Sequence, residues 1–335
     1  MSLALPLVRG SVDALVSARA AVDPADLLLR GPAALGEGTS AEDRAAVHSV
    51  AAFLVGRRGA IGIEPARGGS GPLRLHRLID EDAAHLLETG ATPLLIGATA
   101  SGECAIGLVV DERTDEPGVQ WAHLRWAGHL LEAQDSALAM SAVALASWHE
   151  VNRFCSRCGA RLRIVLGGWA TECPGCGRLE YPRQDPAIIV RIEDADERIL
   201  LAHNTGWVEP MCSLIAGFVE AGEAPERAVV REVREEVGLE ISAPVYRATQ
   251  PWPFPRSQML GFEARLAPGC APEPVPDGSE IAWARFFSRE EFVAEVEAGA
   301  ITAPGPTSIA HALVAEWLGA PMPRSPLALD PLRRP

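Results

Sequence analysis

The chain has 335 residues, 48% of them hydrophobic and 22% charged, with a formal net charge of −14. That length allows two or three hydrophobic cores, and the composition is that of a folded rather than a disordered chain. So acidic a balance excludes binding along a long DNA or RNA tract, since phosphates are repelled unless a basic patch focuses the field; a short polyphosphate held through a cation remains compatible.

Residues 1–10 have no basic region ahead of their apolar residues, which argues against a signal peptide. No apolar run reaches the length of a membrane span, the Ala-rich stretch 137–148 being too short, so no membrane partner is expected. Residues 1–135 alternate short apolar runs, such as 50–55 and 93–97, with Gly and Pro breaks. They predict a mixed α/β domain without a catalytic motif, structural or dimerising in role. Residues 136–182 read as a linker helix and a cysteine-bearing ribbon, the helix running from Ala133 to Val151. The apolar run 187–190 opens a larger domain over 183–320, and the proline-studded stretch 321–335 is expected to be an irregular tail. No repeat of solenoid period is present.

Seven cysteines, four of them in two close pairs, fit metal binding in a reducing compartment better than a disulfide framework, and a cytoplasmic location is expected. Cys155 and Cys158 form one C-x-x-C pair, Cys173 and Cys176 another, and each is followed by Gly (Gly159, Gly177). Two such knuckles joined by a hairpin can present four thiolates tetrahedrally to Zn²⁺, and with no position left for water that zinc is structural. Four unrelated core cysteines, or a redox pair, are the alternatives. Cys104, Cys212 and Cys270 are expected to be inert packing residues.

Residues 217–239 read GFVEAGEAPERAVVREVREEVGL. Pro225 suits the first turn of a helix and Gly238 its end. Glu232, Glu235 and Glu236 lie three and four residues apart, so their carboxylates share one face, while Ala228, Val229 and Val233 on the other suit packing on a sheet. Clustered carboxylates call for hard divalent cations with oxygen ligands, here Mg²⁺ or Mn²⁺. A solvated acidic helix, with Arg227, Arg231 and Arg234 interleaved, is the bland alternative. Downstream, residues 249–257 read TQPWPFPRS. Alternating prolines predict a stiff, extended loop in which Gln250, Ser257 and backbone groups hydrogen-bond a nucleotide and Trp252 and Phe254 offer stackable surface. A proline-rich surface linker is the other reading.

The segment 217–239 is identified as the Nudix signature G-x5-E-x7-R-E-U-x-E-E-x-G-U, matched at Gly217, Glu223, Arg231, Glu232, Val233, Glu235, Glu236, Gly238 and Leu239. Residues 249–257 resemble the S-Q-P-W-P-F-P-x-S motif of the NADH pyrophosphatase family, which also removes the NAD cap from RNA 5′ ends, with Thr249 where Ser is usual. Trp148, His149, Phe154 and the first cysteine pair resemble that family's entry into its zinc ribbon, and Tyr181-Pro182-Arg183 its Tyr-Pro step. The likeness runs from about Trp121 to Leu318.

The resemblance implies an α/β architecture: a Nudix α/β/α sandwich with a zinc ribbon and an N-terminal mixed α/β domain, assembled as a homodimer. It implies Glu232 and Glu236 as principal metal ligands, helped by Glu235, Glu280 and the backbone carbonyl of Ala216, with a Glu223–Arg231 pair orienting them. Glu235 or Glu236 would be the general base toward water. Phe218 and the partner subunit's Tyr181 would stack on the nicotinamide. The segment Gln250, Pro251, Trp252, Pro253, Phe254, Pro255, Arg256 and Ser257 would read the substrate, with Ala310 and Arg125 approaching it. Gly168 departs from relatives that carry a substrate-contacting Glu, and no contact is expected there. The implied reaction is hydrolysis of NAD(H) to NMN(H) and AMP, and removal of the cap from NAD-capped RNA. The rivals are a broader hydrolase of ADP-ribose, FAD or dinucleoside polyphosphates, and a non-catalytic zinc-ribbon binding module.

Overall fold

A computed structural model describes residues 3–64, 71–110, 119–327, 330 and 332. Residues 1–2 of the segment read for a signal peptide, and 328–329, 331 and 333–335 of the expected irregular tail, lie outside the described residues. The chain divides into two compact units, one of Leu7–Gln184, Pro253–Arg256 and Pro331–Pro335, the other of Met1–Pro6, Asp185–Trp252 and Ser257–Asp330.

The first unit is built on strands β1 (Ser49–Val55), β2 (Ala60–Glu64), β3 (Arg74–Leu75), β4 (Thr92–Ala98), β5 (Glu103–Val109) and β6 (Gln120–His123). Their order is β3-β2-β1-β5-β4, with β6 pairing β2. The apolar runs at 50–55 and 93–97 fall in β1 and β4. β1 and β5 run parallel from Ser49↔Glu103 to Val55↔Val109. Phe53, Leu54 and Val55 are all buried, so this strand reads as a continuous apolar run because both its faces are covered.

The helix Ala133–Val151 is more than a linker: Leu138, Ala139, Ala142, Val143 and Leu145 are buried. It crosses the sheet where small residues allow close approach, since a Cβ on Gly107 would lie 3.4 Å from the Ala142 Cβ. Asp135 in its first turn is 2% exposed. It accepts from the backbone N–H of Leu75 at 2.8 Å and from Arg77 at 2.7 Å, and Arg77 also meets Glu103 at 2.9 Å. The same unit holds a three-stranded sheet of β7 (Arg163–Val165), β8 (Ala170–Glu172) and β9 (Leu179–Glu180).

The second unit has β10 (Asp185–Glu193), β11 (Ile199–Asn204), β12 (Ile215–Phe218), β13 (Val245–Trp252), β14 (Ser257–Arg265) and β15 (Ile281–Phe287). The order is β13-β14-β10-β11-β15, with β12 pairing β10. Alternation along the strands sends residues to two cores. Ile188, Val190, Ile192, Leu200 and Ala202 meet Ala228, Val229, Val233 and Val237 of the helix Pro225–Val237. Ile189, Ile199 and Leu201 meet the helices Arg289–Glu297 and Ile309–Leu318 on the other face. This is the expected α/β/α sandwich. Leu5 packs into the second of these cores, which is why residues 3–6 group with this unit rather than with the residues that follow. Among the described residues no helix is long and apolar enough to cross a membrane.

Replacing Asp135 with Ala leaves the Leu75 N–H unpaired and removes one of the two carboxylates on Arg77. Breaking a buried pair costs about 3–5 kcal/mol, and the retained Glu103 lowers the expected loss to about 2 kcal/mol. Urea unfolding should show an earlier midpoint for the first unit, and an unchanged midpoint would show that this contact adds nothing to stability.

Candidate active site and zinc centre

The acidic helix is terminated as its sequence implies, with Pro225 in the first turn and Gly238 closing it at φ 66°. Glu235 is exposed, but Glu236 lies at the edge of the core, 6% exposed, and its Oε2 has no hydrogen-bond partner. Burial, and then the charges of Glu232, Glu280, Asp277 and Glu235, push its carboxyl up to about 8. Burial raises Glu232 as well. A buried, partnerless carboxylate ringed by other acids is the donor set that a hard divalent cation would relieve, so these residues fit Mg²⁺ or Mn²⁺.

Arg231 holds the group together. It bonds Glu223 at 2.9 and 2.8 Å, Glu232 at 2.7 Å, Glu235 at 3.2 Å and the Phe218 carbonyl at 3.0 Å. Arg231, together with the backbone N–H of Glu220, holds the Glu223 carboxyl down to about 2. Gly217 is required beside it, because a Cβ there would lie 2.1 Å from the Glu232 carboxyl carbon. Ala216 precedes it on β12, opposite Ile189.

Glu280 reaches the cluster from a turn just before β15. Asp277 shapes that turn by accepting from the N–H groups of Glu280 at 3.1 Å and Ile281 at 2.9 Å, while its own N–H donates to the Glu236 carbonyl at 3.0 Å. Asp277 escaped the sequence reading because it lies outside the signature; its spacing from Glu280 in a Gly-containing turn was the available signal.

The segment 249–257 is a hairpin rather than the expected extended loop. Trp252 on β13 pairs with Ser257 on β14, and Pro251 with Gln258, leaving Pro253–Arg256 as the turn. Strand pairing on both sides overrides the stiffness of the prolines. Gln250 is fully buried and its Nε2 donates to the Thr307 carbonyl at 3.1 Å, just ahead of Ser308, which caps the helix bearing Ala310. Ala310 is itself 4% exposed. Neither side chain is presented at the surface.

Phe254, in the turn, sits in a socket of the first unit. Its ring centroid is 5.3 Å from that of His123, and the Arg125 guanidinium carbon lies 5.2 Å from it. A Cβ on Gly59 would come within 2.8 Å of the ring. Pro253 is buried, Trp252 and Arg256 half-buried, and Pro255 exposed. Arg125 and Phe254 are thus brought together, but nothing in the sequence linked Gly59 or His123 to them. Tyr181, just after β9, and Phe218, at the end of β12, are each 60% exposed. Gly168 has φ +103°, and a Cβ there would meet Leu94 at 2.5 Å, so this backbone accepts no glutamate side chain.

The four ribbon cysteines have sulfurs within 4.8 Å of one another, with Cys155–Cys176 at 3.8 Å and Cys158–Cys173 at 3.3 Å. Thiolates about 2.3 Å from a tetrahedral Zn²⁺ stand about 3.8 Å apart, so the residues fit a structural zinc. Backbone N–H groups of Arg157 and Cys158 bring the Cys155 thiol down to about 7, while the neighbouring sulfurs raise Cys158 and Cys176, so that without a cation the four share protons rather than standing as four thiolates. The box carboxylates are spread more widely, and among the described residues the cysteines alone form so tight a group. Cys104 and Cys212 are buried, which pushes both thiols up to about 12.

Comparison with known proteins agrees with both centres. Residues 182–305 match the NUDIX domain family and residues 152–181 the NADH pyrophosphatase zinc ribbon domain. The chain is 42% identical over 202 residues to a NAD-capped RNA hydrolase NudC of Mycobacterium bovis (strain BCG / Pasteur 1173P2), covering 58% of this chain and 64% of the relative. It is also 42% identical over 189 residues to the NAD-capped RNA hydrolase NudC of Pseudomonas aeruginosa (strain LESB58), covering 56% and 66%. The chain therefore spans just under two thirds of the length of these relatives. A solved NUDIX hydrolase from Nitrosomonas europaea is 21% identical, with a TM-score of 0.40, covering 52% of this chain and 96% of that one.

Two outcomes follow from the geometry. Cys155→Ser should lower zinc content and destabilise the first unit, because zinc binding contributes to folding directly; one full zinc per purified chain would remove the four-thiolate site. Glu236→Gln keeps the shape but removes the buried charge, so the fold should hold while metal-dependent turnover falls by about 10²-fold or more. Near-normal turnover in saturating Mg²⁺ would detach Glu236 from catalysis.

Proposed function

We propose that this chain, which carries a Nudix domain behind an NADH pyrophosphatase zinc ribbon, hydrolyses the pyrophosphate of NAD(H) to NMN(H) and AMP and removes the NAD cap from RNA 5′ ends. The observation that carries the reading is the buried, partnerless Glu236 carboxylate ringed by Glu232, Glu235, Glu280 and Asp277. Glu232 and Glu236 would hold the Mg²⁺ or Mn²⁺, with Glu235, Glu280 and the Ala216 carbonyl completing the set. When bound, divalent cations supply Lewis-acid neutralisation of the pyrophosphate. Glu235 or Glu236 takes the proton of the attacking water, whose oxygen bonds to phosphorus as the P–O–P bridge breaks. Glu223 fixes Arg231, and Arg231 fixes Glu232 and Glu235, so the carboxylates keep their spacing while charge builds on the phosphates.

Phe218, with 60% exposure, suits one face of the nicotinamide, and in a homodimer the partner subunit's Tyr181 suits the other. The formal charge of −14 restricts contact with a capped RNA to the cap and few nucleotides beyond it. Seven cysteines, none in a disulfide, fit a reducing compartment such as the cytoplasm. Burial of Gln250 and Ala310 favours a second reading, a broader hydrolase that also takes ADP-ribose, because fewer groups are then left to read the nicotinamide half.

The two readings separate on one pair of substrates. ADP-ribose keeps the adenosine and the pyrophosphate but lacks the nicotinamide, and offset stacking is worth about 0.5–1.5 kcal/mol per aromatic pair. Phe218→Ala should therefore lower kcat/KM for NADH by about 3- to 10-fold more than for ADP-ribose. Equal losses would favour the broader hydrolase.

A further inference from the structure

A cleft of about 610 Å³ lies wholly within the first unit and is lined by none of the residues assigned above to catalysis or zinc, although Arg153, Arg161 and Thr171 belong to the ribbon that carries the cysteines. Its floor is the carboxyl edge of the parallel pair β1 and β5, where Gly56 and Arg57 follow one strand and Val109 and Val110 end the other. That edge of an open sheet is where the connections diverge and leave room for a ligand. Apolar wall comes from Leu86, Ala146, Leu162 and Ile164. The volume is that of a site for a ligand of mononucleotide size.

Charge decides what kind of ligand. Arg57, Arg153 and Arg161 line the cleft, all three exposed, and none has a carboxylate partner among the described residues. Arg153 spends one N–H on the Glu150 carbonyl at 2.9 Å, and Glu150 supplies the single carboxylate of the lining. Among the described residues many other arginines meet acids, as Arg191 does Glu193, Glu263 and Glu316, although Arg44, Arg58, Arg157 and Arg324 form no ion pair either. Each free guanidinium offers a planar fork that matches two phosphate oxygens. His149 donates from Nε2 to the Gly168 carbonyl at 2.7 Å, which leaves Nδ1 as an acceptor. The two helices that end at this cleft, Asp80–Glu88 and Ala133–Val151, turn their carbonyl ends toward it, and arginines could serve merely to offset those dipoles. One cation per helix end would suffice for that, and the one such contact present is made by Arg153.

We propose that this cleft is a second ligand site, binding a phosphate ester of mononucleotide size through Arg57, Arg153 and Arg161, with its non-phosphate part on the apolar wall. A free nucleotide and a nucleotide within an RNA strand carry the same chemistry. The test uses the full chain with zinc bound, in buffer free of Mg²⁺ and Mn²⁺. Arginines are modified with phenylglyoxal in the presence of AMP, a short 5′-phosphorylated oligoribonucleotide or inorganic phosphate, and modification is read peptide by peptide. AMP or the oligonucleotide should protect all three arginines several-fold. Protection by both identifies a free nucleotide as sufficient, and protection by the oligonucleotide alone identifies a strand. Arg57 stands outside the ribbon, so Arg57→Glu should weaken this binding about tenfold or more while zinc content and NADH turnover stay unchanged. No protection by either ester, or an Arg57→Glu variant that binds AMP undiminished and only melts earlier, would overturn the site and leave the arginines as helix-end complements.

Discussion

Like-charge repulsion is the constraint around which the second unit is arranged. Two carboxylates about 4 Å apart repel by about 4 kcal/mol at the effective dielectric of a protein surface, and Glu232, Glu280, Asp277 and Glu235 all act on Glu236 here. Arg231 answers part of this by bonding three of the acids that surround it and a backbone carbonyl. Glu236 is out of its reach and buried without a partner for its Oε2, and burial and the surrounding acids push its carboxyl up to about 8. The neighbouring geometry follows from keeping the cluster intact: Gly217 because any side chain would displace Glu232, and the Asp277 turn because it delivers Glu280. A sheet of parallel and antiparallel pairs behind the helix supplies rigidity, with Val229, Val233 and Val237 fully buried against it.

The parts legible in the sequence were those with a local period or a fixed spacing. Pro225, Gly238 and the three glutamates define one helix and one face, and the paired C-x-x-C knuckles define four sulfurs that meet. The helix Ala133–Val151 could be delimited from its Ala-rich composition, but not the extent of its burial, because Asp135 and Ser136 are buried along with its apolar residues and blur any polar face. The hairpin at 249–257 was hidden for a different reason. Its strands are set by β14 pairing in parallel with β10, nine residues in register, and no local pattern in a proline-rich stretch records so distant a partner. Gln250 was read as a ligand contact because it is polar; its burial depends on Thr307, which lies 57 residues away.

Two glycines of the first unit stand where a side chain would collide with a neighbour. Gly59 makes room for the Phe254 ring between His123 and Arg125, so that aromatic of the motif is an anchor within the first unit rather than an open stacking surface. Gly168 cannot carry a longer side chain, because its positive φ and the closeness of Leu94 both forbid one. While Phe154, Trp207 and Tyr246 are exposed elsewhere, the exposed aromatics that the resemblance places at the nicotinamide are Phe218 and Tyr181, both outside the hairpin. Recognition of a ring would therefore rest on those two positions, with the hairpin acting through the segments it holds.

The distribution of charge carries a last consequence. The chain has 44 acids and 30 basic residues, and every one of the 30 is arginine. With acids in excess, many arginines meet a carboxylate, and exposed pairs form readily even though each adds little stability. Arginine also keeps its charge at any physiological pH and holds a planar donor fork that lysine lacks. Three such groups around one cleft, with Glu150 the single carboxylate of its lining among the described residues, concentrate positive charge against that composition. What lowers the energy of such a cluster is an anion with several acceptor oxygens, such as a phosphate ester, the counterpart of the cation that the glutamates of the second unit call for.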